Sequence, residues 1–176
     1  TLKSFHDRID VEIHLSQDLL NIMGSPFHLS KTLMNLISNA AEAMPEGGKV
    51  SVSTANLTID SSIRGYDQIE AGDYVTLTVS DSGIGISPED RERIFEPFYS
   101  KKVMGRSGTG LGMAVVWGTV KDHGGHIDLK STVGMGTVFT LYFPATRTER
   151  VKEKLRVSIE EYKGRGESIL VVDDIK

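Results

Sequence analysis

Two glycine clusters constrain this chain more than any other feature: Asp81-Ser82-Gly83-Ile84-Gly85 and Gly108-Thr109-Gly110-Leu111-Gly112. Glycine has no Cβ and reaches φ > 0 at little cost, so alternating glycines mark backbone brought close to something else. The first cluster closes a β-forming run, Tyr74 to Val79, and is opened by a carboxylate. The second precedes a helical pattern over 110–123 that Gly124-Gly125 stops. Upstream, Asn35 and Asn39 stand four residues apart in a helical segment, so they share one face.

The remaining elements follow from pattern and punctuation. Val11, Ile13 and Leu15 alternate with polar residues, which predicts a strand over 10–15. Ser25-Pro26 is a cap followed by proline at the first helical position. Leu29, Leu33, Leu36, Ile37, Ala40 and Met44 then recur at helical spacing up to Pro45-Glu46-Gly47-Gly48. Residues 50–54 and 74–79 read as strands, with 60–72 as a polar surface connection between them. Ser87-Pro88-Glu89 starts a short helix ending near Phe95, and 96–109 reads as a mobile loop. Ile127 to Ser131 and Thr137 to Phe143 are closing strands joined at Gly134-Met135-Gly136.

With 39% hydrophobic and 25% charged residues, the chain has the composition of a globular domain. A net charge of −4 gives no support to nucleic-acid binding. The absence of cysteine removes disulfides, thiolate metal sites and thiol nucleophiles. No apolar run reaches the roughly 18 residues of a membrane span. From Thr146 to Gly166 the chain turns charged and glycine-interrupted, with Val151, Leu155, Ile159 and Tyr162 as a weak helical stripe. Ser168-Ile169-Leu170-Val171-Val172-Asp173-Asp174 then reads as an apolar strand ending in two acids. Three parts are therefore expected: a domain over 1–146, a linker over 147–167 and a truncated strand over 168–176.

Together, the Asn35–Met44 helix, the two glycine clusters and Ile94-Phe95-Glu96-Pro97-Phe98 resemble the asparagine, glycine and phenylalanine boxes of sensor histidine kinase ATP-binding domains. That superfamily also holds gyrase, the Hsp90 chaperones and the MutL repair proteins. The resemblance covers residues 10–144 and implies a Bergerat-type α/β two-layer sandwich. Its mixed sheet of about five strands would pack on about three helices. Ser25 stands where many relatives have aspartate, and Glu42 where some have a basic residue. The 168–174 strand resembles the first strand of a receiver domain, as in a hybrid kinase.

The chemistry fits Mg-ATP. A carboxylate at Asp81 accepts a hydrogen bond from the exocyclic amine of adenine, where guanine presents an oxygen; a turn aspartate before glycine is the plainer alternative. The resemblance adds Thr137 at the same adenine edge. It also makes Asn39 a Mg²⁺ ligand and puts Asn35 near the phosphates, in keeping with the preference of Mg²⁺ for hard oxygen donors. Free N–H groups where the second helix begins favour an anion such as triphosphate. Neither a P-loop nor a Rossmann fingerprint occurs. The expected nucleotide-binding set is Asn35, Asn39, Ala43, Asp81, Gly83, Gly85, Ile86, Phe98, Lys101, Lys102, Gly108, Thr109, Gly110, Leu111, Gly112 and Thr137. Phe95 and Phe98 are expected to anchor one end of a nucleotide lid, and Glu42 to lie at the surface or the phosphate rim.

None of His6, His14, His28, His123 and His126 has the sequence context of a phosphoacceptor, so all five read as structural or exposed. The expected partners are ATP, a histidine-bearing dimerisation domain and a receiver domain, with no nucleic acid. The full-length protein is expected to be a homodimer and this stretch a monomer. The expected location is cytoplasmic, including the cytoplasmic part of a membrane-anchored sensor. Two other readings stay open. One is a gyrase- or MutL-like ATPase, although such enzymes carry a glutamate base where Asn35 stands, and an amide is no base at neutral pH. The other is a non-enzymatic nucleotide-sensing module.

Overall fold

The structure, a computed structural model, describes residues 8–100 and 110–147. The strands are β1 (Ile9–Leu15), β2 (Asn21–Ile22), β3 (Gly48–Ile59), β4 (Ile63–Arg64), β5 (Gln68–Ile69), β6 (Gly72–Asp81), β7 (His126–Thr132) and β8 (Gly136–Thr146). The helices are α1 (Pro26–Glu42), α2 (Pro88–Arg93) and α3 (Gly112–Asp122).

Ser25 caps α1 as its sequence predicts, accepting from the His28 N–H at 3.4 Å ahead of Pro26. Ser87 caps α2 in the same way, accepting from Asp90 N–H. α3 starts two residues after the expected 110, because Gly110 sits at φ +70, outside the helical region.

β1 and β3 run parallel, with Val11 beside Val50 and Ile13 beside Val52. Parallel neighbours need a crossover, and α1 lies in the connection between them. β3, β6 and β8 follow antiparallel, and both β7 and the short β2 pair with β8. The sheet is thus mixed and six-stranded, one more than expected because β2 adds Ile22 opposite Ala145.

One face of the sheet packs on the helices. Leu36 and Ala40 of α1 and Met113, Val116 and Val120 of α3 meet Val50, Val79, Ile127, Leu129, Phe139, Leu141 and Phe143. Burying one such side chain fully is worth roughly 1.5–3 kcal/mol. His123 ties the two helices together. Its Nε2 accepts from the Ser25 N–H at 3.0 Å, so Nδ1 carries the proton and donates to Thr119 O at 2.6 Å.

The connection over 60–72 differs from its reading as a polar surface stretch. It holds the two-stranded ribbon β4–β5 and docks on the domain. Ile69 is 1% exposed, packed with Ile59, Tyr74 and Tyr142 on the sheet face away from the helices. Tyr66 packs instead against the main core, and Asp67 forms an ion pair with Lys121 of α3. The ribbon meets β7, which among the described residues pairs with β8 alone, as protection of an edge strand requires. The expected linker beyond Arg147 and the 168–176 strand lie outside the described residues.

Candidate functional site

Alternation along the strands sends one residue from each of three neighbours to the helix-facing side at one end of the sheet. Asp81 of β6 lies beside Thr137 of β8, which lies beside Ser131 of β7. Asp81 shares the side of Val79, Thr137 that of Phe139, and Ser131 that of Leu129.

The Asp81 Oδ1 accepts from the Gly83 N–H at 2.8 Å, which closes the turn. Burial pushes the carboxyl above its usual range, while the backbone N–H groups of Gly83 and Thr137 pull it back down. A carboxylate offers about four lone-pair sites, so capacity remains for a further donor.

Thr137 is 3% exposed, with its Oγ1 3.0 Å from Ser131 Oγ. Ser131 Oγ donates to Gly136 O at 2.9 Å and accepts from the Ile86 N–H at 2.8 Å. Its single proton is therefore used. The Thr137 hydroxyl donates to Ser131, which leaves Thr137 Oγ1 as an acceptor next to Asp81. Ser131 was not a sequence candidate; a serine within a strand carries no local mark of such a role.

The end of α1 is bonded to this corner. The Ile84 N–H donates to Ala43 O at 3.0 Å. A Cβ on Gly83 would lie 2.7 Å from Ala43 Cβ, so only glycine lets the turn sit this close. Gly85 has φ +70, and Gly134 N–H donates to Ile84 O at 2.7 Å.

Asn35 and Asn39, four residues apart in α1, share one helix face. Asn35 Nδ2 donates to Gly112 O at 3.2 Å, which joins α1 to the first turn of α3. Leu111 caps α3 with no side-chain hydrogen bond. The structure therefore brings Asn35, Asn39, Ala43, Asp81, Gly83, Gly85, Ile86, Gly110, Leu111, Gly112 and Thr137 to the same end of the domain. Lys101, Lys102, Gly108 and Thr109 lie outside the described residues.

The family model described as histidine kinase-, DNA gyrase B-, and HSP90-like ATPase matches residues 24–147. The chain belongs to this family. It is 36% identical over 156 residues to the sensor kinase CckA of Brucella abortus (strain 2308), covering 88% of this chain and 16% of that protein. It is 37% identical over 137 residues to the sensor histidine kinase ZraS of Salmonella typhimurium, covering 77% of this chain and 26% of that one. The chain thus spans 16% of the length of the first relative and 26% of the second. Among solved structures, the nucleotide-free catalytic domain of histidine kinase ThkA superposes with a TM-score of 0.61 at 28% identity, over 79% of this chain and 80% of that domain. Full-length ShkA in complex with AMPPNP gives 0.61 at 27% identity, over 80% of this chain and 27% of that one.

The phenylalanine box of this family member divides its two aromatics. Phe95 packs as expected, 5.1 Å from the Trp117 ring and 6.5 Å from Phe139. Phe98 differs from the expected hydrophobic anchor: its side chain is 75% exposed. It acts through backbone, with φ +66 and its N–H donating to Gly110 O at 3.0 Å. The second ring that holds the segment is Tyr99, whose hydroxyl donates to Asp90 Oδ1 at 2.5 Å and whose face lies 4.3 Å from the Arg93 guanidinium. The box pattern draws attention to phenylalanine and passes over the tyrosine beside it.

Among the described residues no three His, Cys, Asp or Glu side chains form a metal cluster. A neutral asparagine oxygen with no surrounding cage suits Mg²⁺, which keeps waters and takes phosphate oxygens for the rest. No described helix is long and apolar enough to cross a membrane. A separate groove of about 320 Å³ runs between α1 and α3, lined by Phe27, His28, Lys31, Val115, Gly118, Thr119 and Asp122. It contains none of the expected site residues.

Proposed function

We propose that this chain is the ATP-binding catalytic domain of a sensor histidine kinase, holding Mg-ATP for γ-phosphoryl transfer to a histidine on another domain. The observation that carries the reading is the Asp81–Thr137 pair, two acceptors side by side on a closed, backbone-bonded corner. The exocyclic amine of adenine donates to such a pair. Guanine would set its oxygen against them and leave buried groups unpaired.

Asn39 would hold Mg²⁺, which neutralises charge on the triphosphate. The first N–H groups of α3, led into by Gly110, Leu111 and Gly112, would face the phosphates. Phosphoryl transfer in such a site is mostly positioning and charge stabilisation, so no residue of this chain needs to act as nucleophile. The attacking imidazole comes from a separate histidine-bearing helix pair. Hydrolysis is disfavoured by Asn35, whose amide is no base and whose Nδ2 is engaged with Gly112 O. The domain would occupy 1–146, followed by a linker over 147–167 and a receiver strand from 168. The full protein would be a homodimeric sensor with this part in the cytoplasm.

Calorimetric titration with Mg-ATP and Mg-GTP tests the nucleotide reading: ATP should bind and GTP at least about a hundredfold more weakly. Asp81→Ala should remove most ATP affinity without loss of circular dichroism. Equal affinity for the two nucleotides would overturn it. Mixing the domain and ATP with a kinase dimerisation helix pair should give phosphohistidine, whereas steady phosphate release without it would favour the ATPase reading.

A further inference from the structure

We propose that Ser131 of β7 is a positioning residue that sets purine selectivity: its filled hydroxyl makes Thr137 an acceptor, which only an amino group at the 6-position of the base can meet. The proposal rests on the ATP-binding reading above.

Ser131 stands opposite Thr137 across β7 and β8, and Thr137 stands opposite Asp81 across β8 and β6. A serine hydroxyl has one proton and two lone pairs. Here all three are in use. The proton goes to Gly136 O at 2.9 Å, and one lone pair takes the Ile86 N–H at 2.8 Å. The second lone pair is left for Thr137 Oγ1 at 3.0 Å. Both other partners are backbone groups held in place. Gly136 has φ +87, and a Cβ there would lie 2.0 Å from Asp81 O, so its peptide is wedged against the end of β6. Ile86 follows Gly85, where a Cβ would lie 2.1 Å from Thr132 O, one residue past Ser131. The Ser131 hydroxyl is thus fixed by the turn after β6 on one side and by the start of β8 on the other.

Thr137 is left with little choice. It is 3% exposed, so bulk water does not replace a lost partner. Its backbone N–H is given to the Asp81 carboxyl. Turning its hydroxyl proton toward a ligand would leave two oxygens 3.0 Å apart with lone pairs facing. Such a contact is costly where the dielectric is low. Thr137 therefore keeps its proton on Ser131 and shows the base a lone pair beside the Asp81 carboxylate. Adenine donates from its 6-amino group, whereas guanine and hypoxanthine carry an oxygen there. A threonine alone would not discriminate, because a free hydroxyl donates or accepts as its partner requires. Ser131 removes that freedom.

Hypoxanthine lacks the 2-amino group of guanine, so ITP isolates the contact at the 6-position. Affinities for Mg-ATP and Mg-ITP are measured by calorimetry for the wild type, Ser131→Ala, Ser131→Thr, and Thr137→Val with and without Ser131→Ala. A melting scan of each variant serves as the control for folding. The wild type should favour ATP by about a hundredfold. Ser131→Ala frees the Thr137 proton to meet an oxygen and should narrow that gap about tenfold, mainly through tighter ITP binding. Ser131→Thr keeps the hydroxyl and should keep the wild-type gap. On the Thr137→Val background no hydroxyl remains to orient, so adding Ser131→Ala should change the gap no further. If Ser131→Ala fails to fold, Ser131→Cys, whose sulfur is a weak acceptor, carries the same expectation. An unchanged gap in Ser131→Ala would overturn the proposal, as would equal weakening of both nucleotides or further narrowing on the Thr137→Val background. Wild-type protein that binds no Mg-ATP, or binds ATP and ITP alike, would instead overturn the nucleotide reading and this proposal with it.

Discussion

At Gly85 a Cβ would lie 2.1 Å from Thr132 O, and at Gly83 2.7 Å from Ala43. At Gly112 the nearest neighbour is Asn35, at 3.8 Å, an ordinary contact distance. The two clusters look alike in sequence but glycine is demanded at them for different reasons. At the Asp81 corner the protein's own backbone occupies the space, and φ +70 at Gly85 adds a conformational requirement. Gly110 belongs with that group, since it is at φ +70 and lies against Phe98 backbone. Gly112 has neither restraint from the described residues. The Asp81 corner is thus a packed part of the domain, whereas the second cluster leads into a helix start bonded to Asn35 of α1.

Substitution at the packed corner should have the largest effect. Gly85→Ala should cost about 3 kcal/mol, on the order of 10 °C in melting temperature, from φ strain together with the clash on Thr132. A calorimetric scan showing no loss would break the contrast at once. Next comes Asn39→Ala, on the open side. It should weaken Mg-ATP about tenfold and leave adenosine affinity and melting temperature nearly unchanged. Equal weakening of both ligands would make Asn39 structural and move it to the packed group.

The pH dependence of Asp81 is smaller and sharpens the description of the corner. Burial raises its folded pKa above the unfolded value, so the neutral form suits the folded domain. Stability from the protonated form is fully present below the unfolded pKa and is lost as pH rises through the folded one. At neutral pH the nucleotide-free domain carries a partly desolvated charge. Asp81→Asn should therefore melt above the wild type at pH 7, with the gain shrinking toward pH 4. A gain that grows on acidification would contradict the burial account. The smallest stability change belongs to Gly112→Ala, within about 0.5 kcal/mol of the wild type or slightly above it, since alanine suits a helix. Its Mg-ATP affinity should still fall. A large melting loss would show that Gly112 is packed after all.

Much of the molecule was legible because its signals are local. Ser25-Pro26 and Ser87-Pro88 mark helix starts through bonds made within one turn, and both caps form. Gly124-Gly125 stops α3 next to its expected end, and the alternation of β6 and β8 assigns their residues to the two faces. Asp81 stood out because a carboxylate before a glycine turn at a strand end is a pattern contained in five residues.

The rest depended on neighbours distant in the chain. Nothing near Ser131 says that three hydrogen bonds meet on its hydroxyl, because their partners come from the turn after β6 and from β8. Phe95 and Phe98 were both expected to anchor the segment, yet Phe98 is exposed and it is Tyr99 that contacts α2, through Asp90 and Arg93. The 60–72 segment looked polar because its apolar residues serve two different faces: Ile69 goes behind the sheet and Tyr66 goes to the helix side. A segment that divides its burial between two surfaces has no single period. Caps, turns and strand alternation are written in consecutive residues and so are determined by the sequence alone. Which side chains close the Asp81 corner and brace Phe95 was decided only when β7, α3 and the β3–β6 connection came together, because each of those contacts needs two surfaces that the chain keeps far apart until it folds.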